Sequence, residues 1–399
     1  MIKYLGRIIS EGEIFDGEVV TDGGKIASVT KGRNASTDAL CNTIKDFGGA
    51  YVAPGFIDIH VHGGGGSDFL DGTKADFVTI AALHASHGTA VMLPTSLCCP
   101  DDELFALFDL YREVANSDYD GASFAGIHLE GPYIAASQKG AQDETYLKKP
   151  THEHYDKVLK AGKGIIRRWT IAPEVEGAME LGKRLKSEGI CASIGHSDAD
   201  ITTAGEAVKN GYTMLTHFYS GMSTISRKNG FRIPGLVEAG YLYDGLAVEA
   251  ICDGCHLPKE LLQLIYKSKG ASKVALITDA MRGAGSLSGE TILGSRTSGQ
   301  RCIIEDGVAK MPDRQAFAGS VCTTDRLLKN AYNLMLDGYL EGDARLCTAV
   351  QMLTATPASL VGLTSKGHIR ASYDADLTVF DNNFTVLTTV TRGKAVYTK

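Results

Sequence analysis

"RRWTIAPEVEGAMELGKRLKSEGICASIGHS", residues 167–197, contains one complete strand–helix–strand unit. Its first part, "RRWTIAPE", is a short run rich in bulky and β-branched residues. In the middle, Ala178, Leu181 and Leu185 recur at intervals of three and four, the spacing of a single helix face. The last part, "GICASIGHS", returns to a short apolar run and closes on His196. A strand, a helix and a second strand in this order imply a parallel pair, because the crossover carries the chain back to its starting edge.

The same alternation extends in both directions. Apolar runs occur at "YVAPGFIDIHVH", "GTAVMLPTS", "ASFAGIHLE", "RRWTIAPE", "GICASIGHS", "GYTMLTHF", "LAVEAICDG" and "KVALITDA", eight in all. Helix-like stretches such as "DDELFALFDLYREVAN" and "KELLQLIYKSK" fall between them. Eight such units predict an α/β chain built on a (β/α)8 TIM-like barrel, in which chemistry collects where the strands end. An open doubly wound sheet is the alternative. It would usually carry a GxGxxG turn after its first strand, and none stands there.

Both ends of the chain read differently. "GRIISEGEIFDGEVVTDGGKIASVT" and "GHIRASYDADLTVFDNNFTVLTTVTRGKAVYTK" alternate over short distances and carry Asp-Gly and Gly-Gly turns, as antiparallel strands do. They predict a small β-sandwich domain made by both termini, residues 1–53 and 356–399, around a barrel at 54–355.

The bulk numbers narrow the function. A net charge of −7 over 399 residues argues against nucleic acid or an acidic membrane as a general partner. No apolar run approaches the roughly 18 residues of a membrane helix. Nine scattered cysteines without a secretory signal predict free thiols and a cytoplasmic setting. Cys252 and Cys255 form a CxxC, but no second pair follows at zinc-ribbon spacing, so packing at a strand end is expected of them.

The ends of the runs carry the chemistry. The first ends "HVHGGGG", and alternate residues of a strand share a face, so His60 and His62 project together. Other runs end at Glu130, His196, His217 and Asp279, and His256 follows the seventh. Singly, each has an ordinary reading: a hydrogen-bonded core histidine, a buried ion-pair partner at Glu130, a helix N-cap at Asp279. Together, at one rim, they form the nitrogen and oxygen donor set of zinc, iron or a similar divalent metal. His128 shares the face of Glu130 and reads as a supporting partner rather than a ligand. His84, His87, His152, His154 and His368 fall elsewhere.

The stretches "APGFIDIHVHG", "GIHLEGPYI", "TIAPE", "IGHSDA", "THFYSGM", "GFRIPGL", "ICDGCHLP", "ITDAMRGAG", "FAGS" and "TATPASLVGL", in this order, resemble the amidohydrolase superfamily, and within it the deacetylases acting on N-acetylglucosamine 6-phosphate. The resemblance covers nearly the whole chain. It implies that Glu130, His196 and His217 hold one divalent metal. His60 and His62 imply a second, with Glu130 bridging and Asp279 close by. Many superfamily members bridge through a lysine of the fourth strand; "RRWTIAPE" has none at its end, in keeping with that role for Glu130. Asp279 is then the proton-transfer group, and His256 binds the carbonyl oxygen or a sugar hydroxyl.

For the substrate, the resemblance implies a phosphate-binding Arg232 and backbone donors at Ser220 and Gly221. It implies sugar contacts at Ala141 and Gln142, and an acetyl pocket lined by Phe317, Ala318 and Gly319. A homodimer is also implied. The chain departs from the common pattern at Ser220-Gly221 (usually Asn-Ala), at Gln142 (usually His), at Ile233 (often Glu) and at "SLSGETILG", which replaces a Pro-Asp-Gly turn. These departures leave open N-acetylgalactosamine 6-phosphate or another N-acyl hexosamine phosphate. Further alternatives are a different amide, such as a cyclic ureide or an N-acyl amino acid, and a non-catalytic scaffold. Arg232 argues against the first of these, and the full ligand set against the second.

Overall fold

A computed structural model describes residues 1–286 and 288–399. The unit at 167–197 folds as read. Strand Ile166–Ile171 pairs in parallel with Cys191–Ile194, and helix Ala178–Ser187 crosses between them. That helix buries Ala178, Leu181 and Leu185. Each leucine taken out of water contributes on the order of 1.5–3 kcal/mol.

Parallel strands follow one another around the molecule in chain order. Phe56–Val61 pairs with Thr89–Pro94, and that strand with Ser123–Phe124. A six-stranded sheet then runs Ile127–Glu130, Ile166–Ile171, Cys191–Ile194, Tyr212–Leu215, Ala247–Ile251, Val274–Ile277. Single parallel bridges join the two sheets at both edges, Thr95 to His128 and Val61 to Ala280. Chain order equals spatial order throughout, whereas a doubly wound sheet reverses partway.

Both termini build one seven-stranded sheet. Its order is Lys394–Thr398, Val386–Thr391, Leu377–Phe380, Thr43–Pro54, Ile2–Ser10, Glu13–Asp22, Lys25–Lys31. The two ends meet as expected, but as a continuous hydrogen-bonded sheet rather than two separate layers. Tyr4, Ile8, Val19, Val52, Leu377 and Val379 form its core. The chain leaves this sheet through Gly55, where a Cβ would stand 2.4 Å from that of Ala90, closer than any side chain permits.

Two additions lie outside the sequence reading. After strand Val274–Ile277 comes a three-stranded antiparallel sheet, Gly289–Leu293, Gln300–Glu305 and Val308–Lys310. Leu287 of "SLSGETILG" lies outside the described residues. A hairpin of Ser226–Lys228 and Phe231–Ile233 precedes helix Leu236–Leu242. His152 and His154, read as part of a polar stretch, open helix His152–Ala161, with Thr151 as its N-cap. Among the described residues, no helix is long and apolar enough to cross a membrane.

Candidate active site

Six residues predicted from strand ends meet, all buried: His60, His62, Glu130, His196, His217 and Asp279. His60 lies in strand Phe56–Val61, and His62 follows that strand by one residue. Glu130 is the last residue of its strand. His196, His217 and Asp279 each lie two residues beyond theirs. All three have left-handed backbones, with φ of 49°, 28° and 48°. That conformation costs about 1–3 kcal/mol at a non-glycine residue and persists only where the surroundings hold it. Here it turns each side chain inward over the strand ends. The Asp279 amide donates to the His60 carbonyl at 3.0 Å, and the His217 amide to Glu249 Oε2 at 3.0 Å.

The side chains form two triangles. In one, Glu130 Oε1 is 3.1 Å from His196 Nε2 and 3.0 Å from His217 Nε2, and the two nitrogens are 3.1 Å apart. In the other, His60 Nε2 and His62 Nε2 are 3.3 Å apart, and Asp279 Oδ1 is 3.4 and 3.2 Å from them. Glu130 joins the two, since its Oε2 is 3.3 Å from His62 Nε2. A tetrahedral ion with bonds of 2.0–2.1 Å spaces its ligands by roughly 3.3 Å, so both triangles match ligand edges of one cation each. The His196 tautomer agrees. His196 Nδ1 lies 2.8 Å from the Gln138 carbonyl, which only accepts, so Nδ1 carries the proton and the Nε2 lone pair points inward. These residues therefore fit a divalent metal.

The charges answer one another. Burial pushes Glu130 and Asp279 up, but the imidazoles around them hold both below the usual carboxylate range. Burial pulls His60 down, but Asp279, Glu130 and Glu249 outweigh it and raise its pKa to about 9.

A cavity of about 240 Å³ opens on these groups. His256 lines it, with Nδ1 2.8 Å from Asp253 Oδ2 and its ring edge-on to Phe317 at 4.7 Å. Ala141, Ser220, Gly221, Phe317 and Gly319 also line it. Gln142 lines it too, but its side chain is already engaged. Its Nε2 donates to Glu130 Oε2 at 2.8 Å, and its Oε1 accepts from the Cys98 amide at 2.8 Å. Two predicted contacts are not brought in. Ala318 is buried behind the wall in a cluster with Met281, Leu293 and Ile304. Arg232 is exposed on the Ser226–Ile233 hairpin and does not line the cavity. His128 packs edge-on beneath His60 at 4.5 Å, hydrogen-bonded to Thr170 and Thr95.

Sequence reasoning missed Asp253, Glu249 and Arg168. Asp253 had a signal, the Asp-x-x-His spacing in "DGCH". Glu249 and Arg168 interrupt apolar runs, and a charged residue inside a strand buried on both faces needs a partner.

The description of the amidohydrolase family matches residues 51–396 of the chain. The chain is 30% identical to N-acetylglucosamine-6-phosphate deacetylase of Lysinibacillus sphaericus, over 93% of this chain and 91% of that one. It is 28% identical to the deacetylase of that name from Bacillus subtilis (strain 168), over 98% and 95%. A mutant N-acetyl-D-glucosamine-6-phosphate deacetylase of Mycobacterium smegmatis, solved in complex with N-acetyl-D-glucosamine-6-phosphate, superposes with a TM-score of 0.89 at 28% identity, over 100% and 99%.

Proposed function

The chain belongs to the amidohydrolase family, and from that premise we propose that it hydrolyses the N-acetyl group of N-acetylglucosamine 6-phosphate, giving glucosamine 6-phosphate and acetate. One observation carries this reading: Glu130 of one ligand triangle reaches His62 of the other, and Asp279 and His256 face the same cavity.

An amide resists attack by water at neutral pH. Glu130, His196 and His217 would hold one divalent cation, and His60, His62 and Asp279 a second; bound there, the metal would supply an acidified water and a Lewis acid for the acetyl carbonyl. Zinc and iron suit this donor set. The chain's own groups do the rest. Asp279 rests as a carboxylate and takes the proton of the attacking water. It returns that proton to the sugar nitrogen, because an amine leaves poorly unless protonated. Asp253 pairs with His256 Nδ1 and orients the ring, leaving Nε2 to meet the substrate oxygen as charge develops on it. Phe317 covers the ring edge and limits water at the acetyl end.

Phosphate recognition is assigned to the backbone of Ser220 and Gly221 and to Arg232. Arg232 faces Arg227 across the hairpin, and neither has a carboxylate partner among the described residues. Like charges directly opposite on paired strands repel, and a dianion would relieve them. In the single chain this hairpin stands off the cavity, so the assignment requires it to close, by movement or against a second copy. Phe231 on it and Ile225 just before it are 75% and 56% exposed, apolar surface that a homodimer would cover.

The same reading takes the parallel strands as a (β/α)8 barrel over 54–355, flanked by terminal segments 1–53 and 356–399. It places the protein in the cytoplasm, where buried thiols such as Cys98 and Cys252 stay reduced.

The test is acetate release from N-acylated glucosamine and galactosamine, each with and without 6-phosphate, before and after chelation. Metal-dependent turnover confined to 6-phosphorylated N-acetylglucosamine is expected. Equal turnover of the unphosphorylated sugars, or full activity after exhaustive chelation, would defeat the proposal.

A further inference from the structure

Two charged residues stand where the mechanism above does not use them. Arg168 and Glu249 are fully buried inside the ring of parallel strands, on Ile166–Ile171 and Ala247–Ile251. They pair through Arg168 Nη1 and Glu249 Oε1. Desolvating two ions is costly, and apolar residues of similar size often serve stability as well or better. The pair therefore calls for another reason, and its remaining contacts supply one.

The second oxygen of Glu249 touches a residue from each ligand triangle. Oε2 is 3.2 Å from His60 Nδ1 and accepts the His217 amide at 3.0 Å. The guanidinium in turn grips the strands that end in ligands. Arg168 Nη2 donates to Ser193 Oγ at 3.2 Å and to Thr216 Oγ1 at 2.8 Å, next to His217. Its Nη1 reaches the carbonyl of Ile59, beside His60, at 3.4 Å.

A carboxylate at Nδ1 keeps the ring proton on that nitrogen and leaves the Nε2 lone pair for a metal. Within the His60–His62–Asp279 triangle this is the one imidazole so anchored, since His62 Nδ1 has no protein partner among the described residues. We propose that Glu249, held by Arg168, is a positioning residue that fixes the tautomer and orientation of His60 and so sets the affinity of the second cation site. The inference rests on the metal-dependent reading above.

The test is zinc binding to chelator-stripped protein, measured by equilibrium dialysis with metal analysis. It compares wild type, Glu249→Gln and the double variant Arg168→Met/Glu249→Gln, which removes both buried charges if the single change does not fold. Wild type should take up two ions. In either variant the weaker site should lose roughly 10–100-fold in affinity, the usual effect of removing such a partner. The Glu130–His196–His217 site should stay within threefold. Two sites at wild-type affinity in a folded variant would overturn the inference alone. Equal weakening of both sites would also overturn it, because that marks a merely structural role. A wild type that takes up no zinc would overturn the metal-dependent reading and this inference with it.

Discussion

Asp253 Oδ2 stands 2.8 Å from His256 Nδ1, and Asp253 Oδ1 accepts the amides of Cys255 and His256 at 2.8 and 2.9 Å. One carboxylate thus shapes the turn and orients the ring. Burial pushes Asp253 up, yet His256 holds it below its usual value. Asp253→Asn keeps an oxygen for the turn but presents an amide to the ring. We expect kcat to fall about 100-fold, the scale of losing one donor to a developing oxyanion, with KM nearly unchanged. Steady-state kinetics beside a melting curve checks this. A fall in melting temperature that accounts for the lost activity would reduce Asp253 to a turn residue.

Asp279→Asn should reduce turnover by about 100- to 10,000-fold, the range of general acid–base contributions. The amide still offers an oxygen near His60 and His62, so metal content should stay near that of wild type. His60→Ala, in contrast, should lower bound metal from two ions toward one. Metal analysis of both variants separates the roles, and activity of Asp279→Asn within tenfold of wild type would end its assignment as proton carrier.

Much of this site was readable because βα units put function where strands stop. His196 and His217 close apolar runs, and their convergence with the other strand-end residues marks them. The three-stranded sheet over 289–310 was not readable, because its strands are half-exposed and lack a sustained alternation. Arg232 shows a different limit. Its motif was legible, but its distance from the cavity depends on a hairpin whose placement no local pattern encodes. Glu249 and Arg168 were hidden by the company they keep, since a buried ion pair looks like two interruptions of apolar runs until the strands are brought together.

The pH dependence has a definite sign. His60 has its pKa raised from 6.5 to about 9, because three carboxylates outweigh its burial. Without metal, it contributes stability that is complete below pH 6.5 and is lost as pH rises through about 9. A cation must displace that proton, so metal affinity runs the other way, climbing as pH rises toward about 9 and then levelling. Calorimetric titration with zinc at neutral pH, in buffers of different ionisation heat, should detect released protons. A heat independent of buffer would contradict the charge state assigned to His60.

Gly221 has a left-handed backbone that favours glycine. Its φ is +55°, and a Cβ would lie 3.1 Å from His196 Nδ1 and 3.2 Å from the Gln138 carbonyl, the two partners that fix the His196 tautomer. Gly221→Ala should cost about 1–2 kcal/mol from the left-handed backbone alone. It should also weaken metal held by His196. Denaturant unfolding and zinc retention measure the two effects, and a variant with unchanged values for both would mean the loop shifts freely.

Arg232 gives the sharpest separation of substrate from scaffold. If it clamps phosphate, Arg232→Ala removes a charge-assisted pair, a loss on the order of 2–5 kcal/mol when the partner charge is left desolvated. Most of that should appear in kcat/KM for the 6-phosphorylated sugar. The unphosphorylated sugar has no partner for the guanidinium, so its slower turnover should barely change. Because the side chain is exposed in the single chain, the substitution leaves the core intact and stability should hold. Arg227→Ala is the control. It removes the opposing charge on the same hairpin, and a general electrostatic effect would make the two variants alike, whereas a specific clamp would make Arg232→Ala the worse. If both substrates fall by the same factor in Arg232→Ala, the residue supports the hairpin and the phosphate is held by the backbone of Ser220 and Gly221 alone.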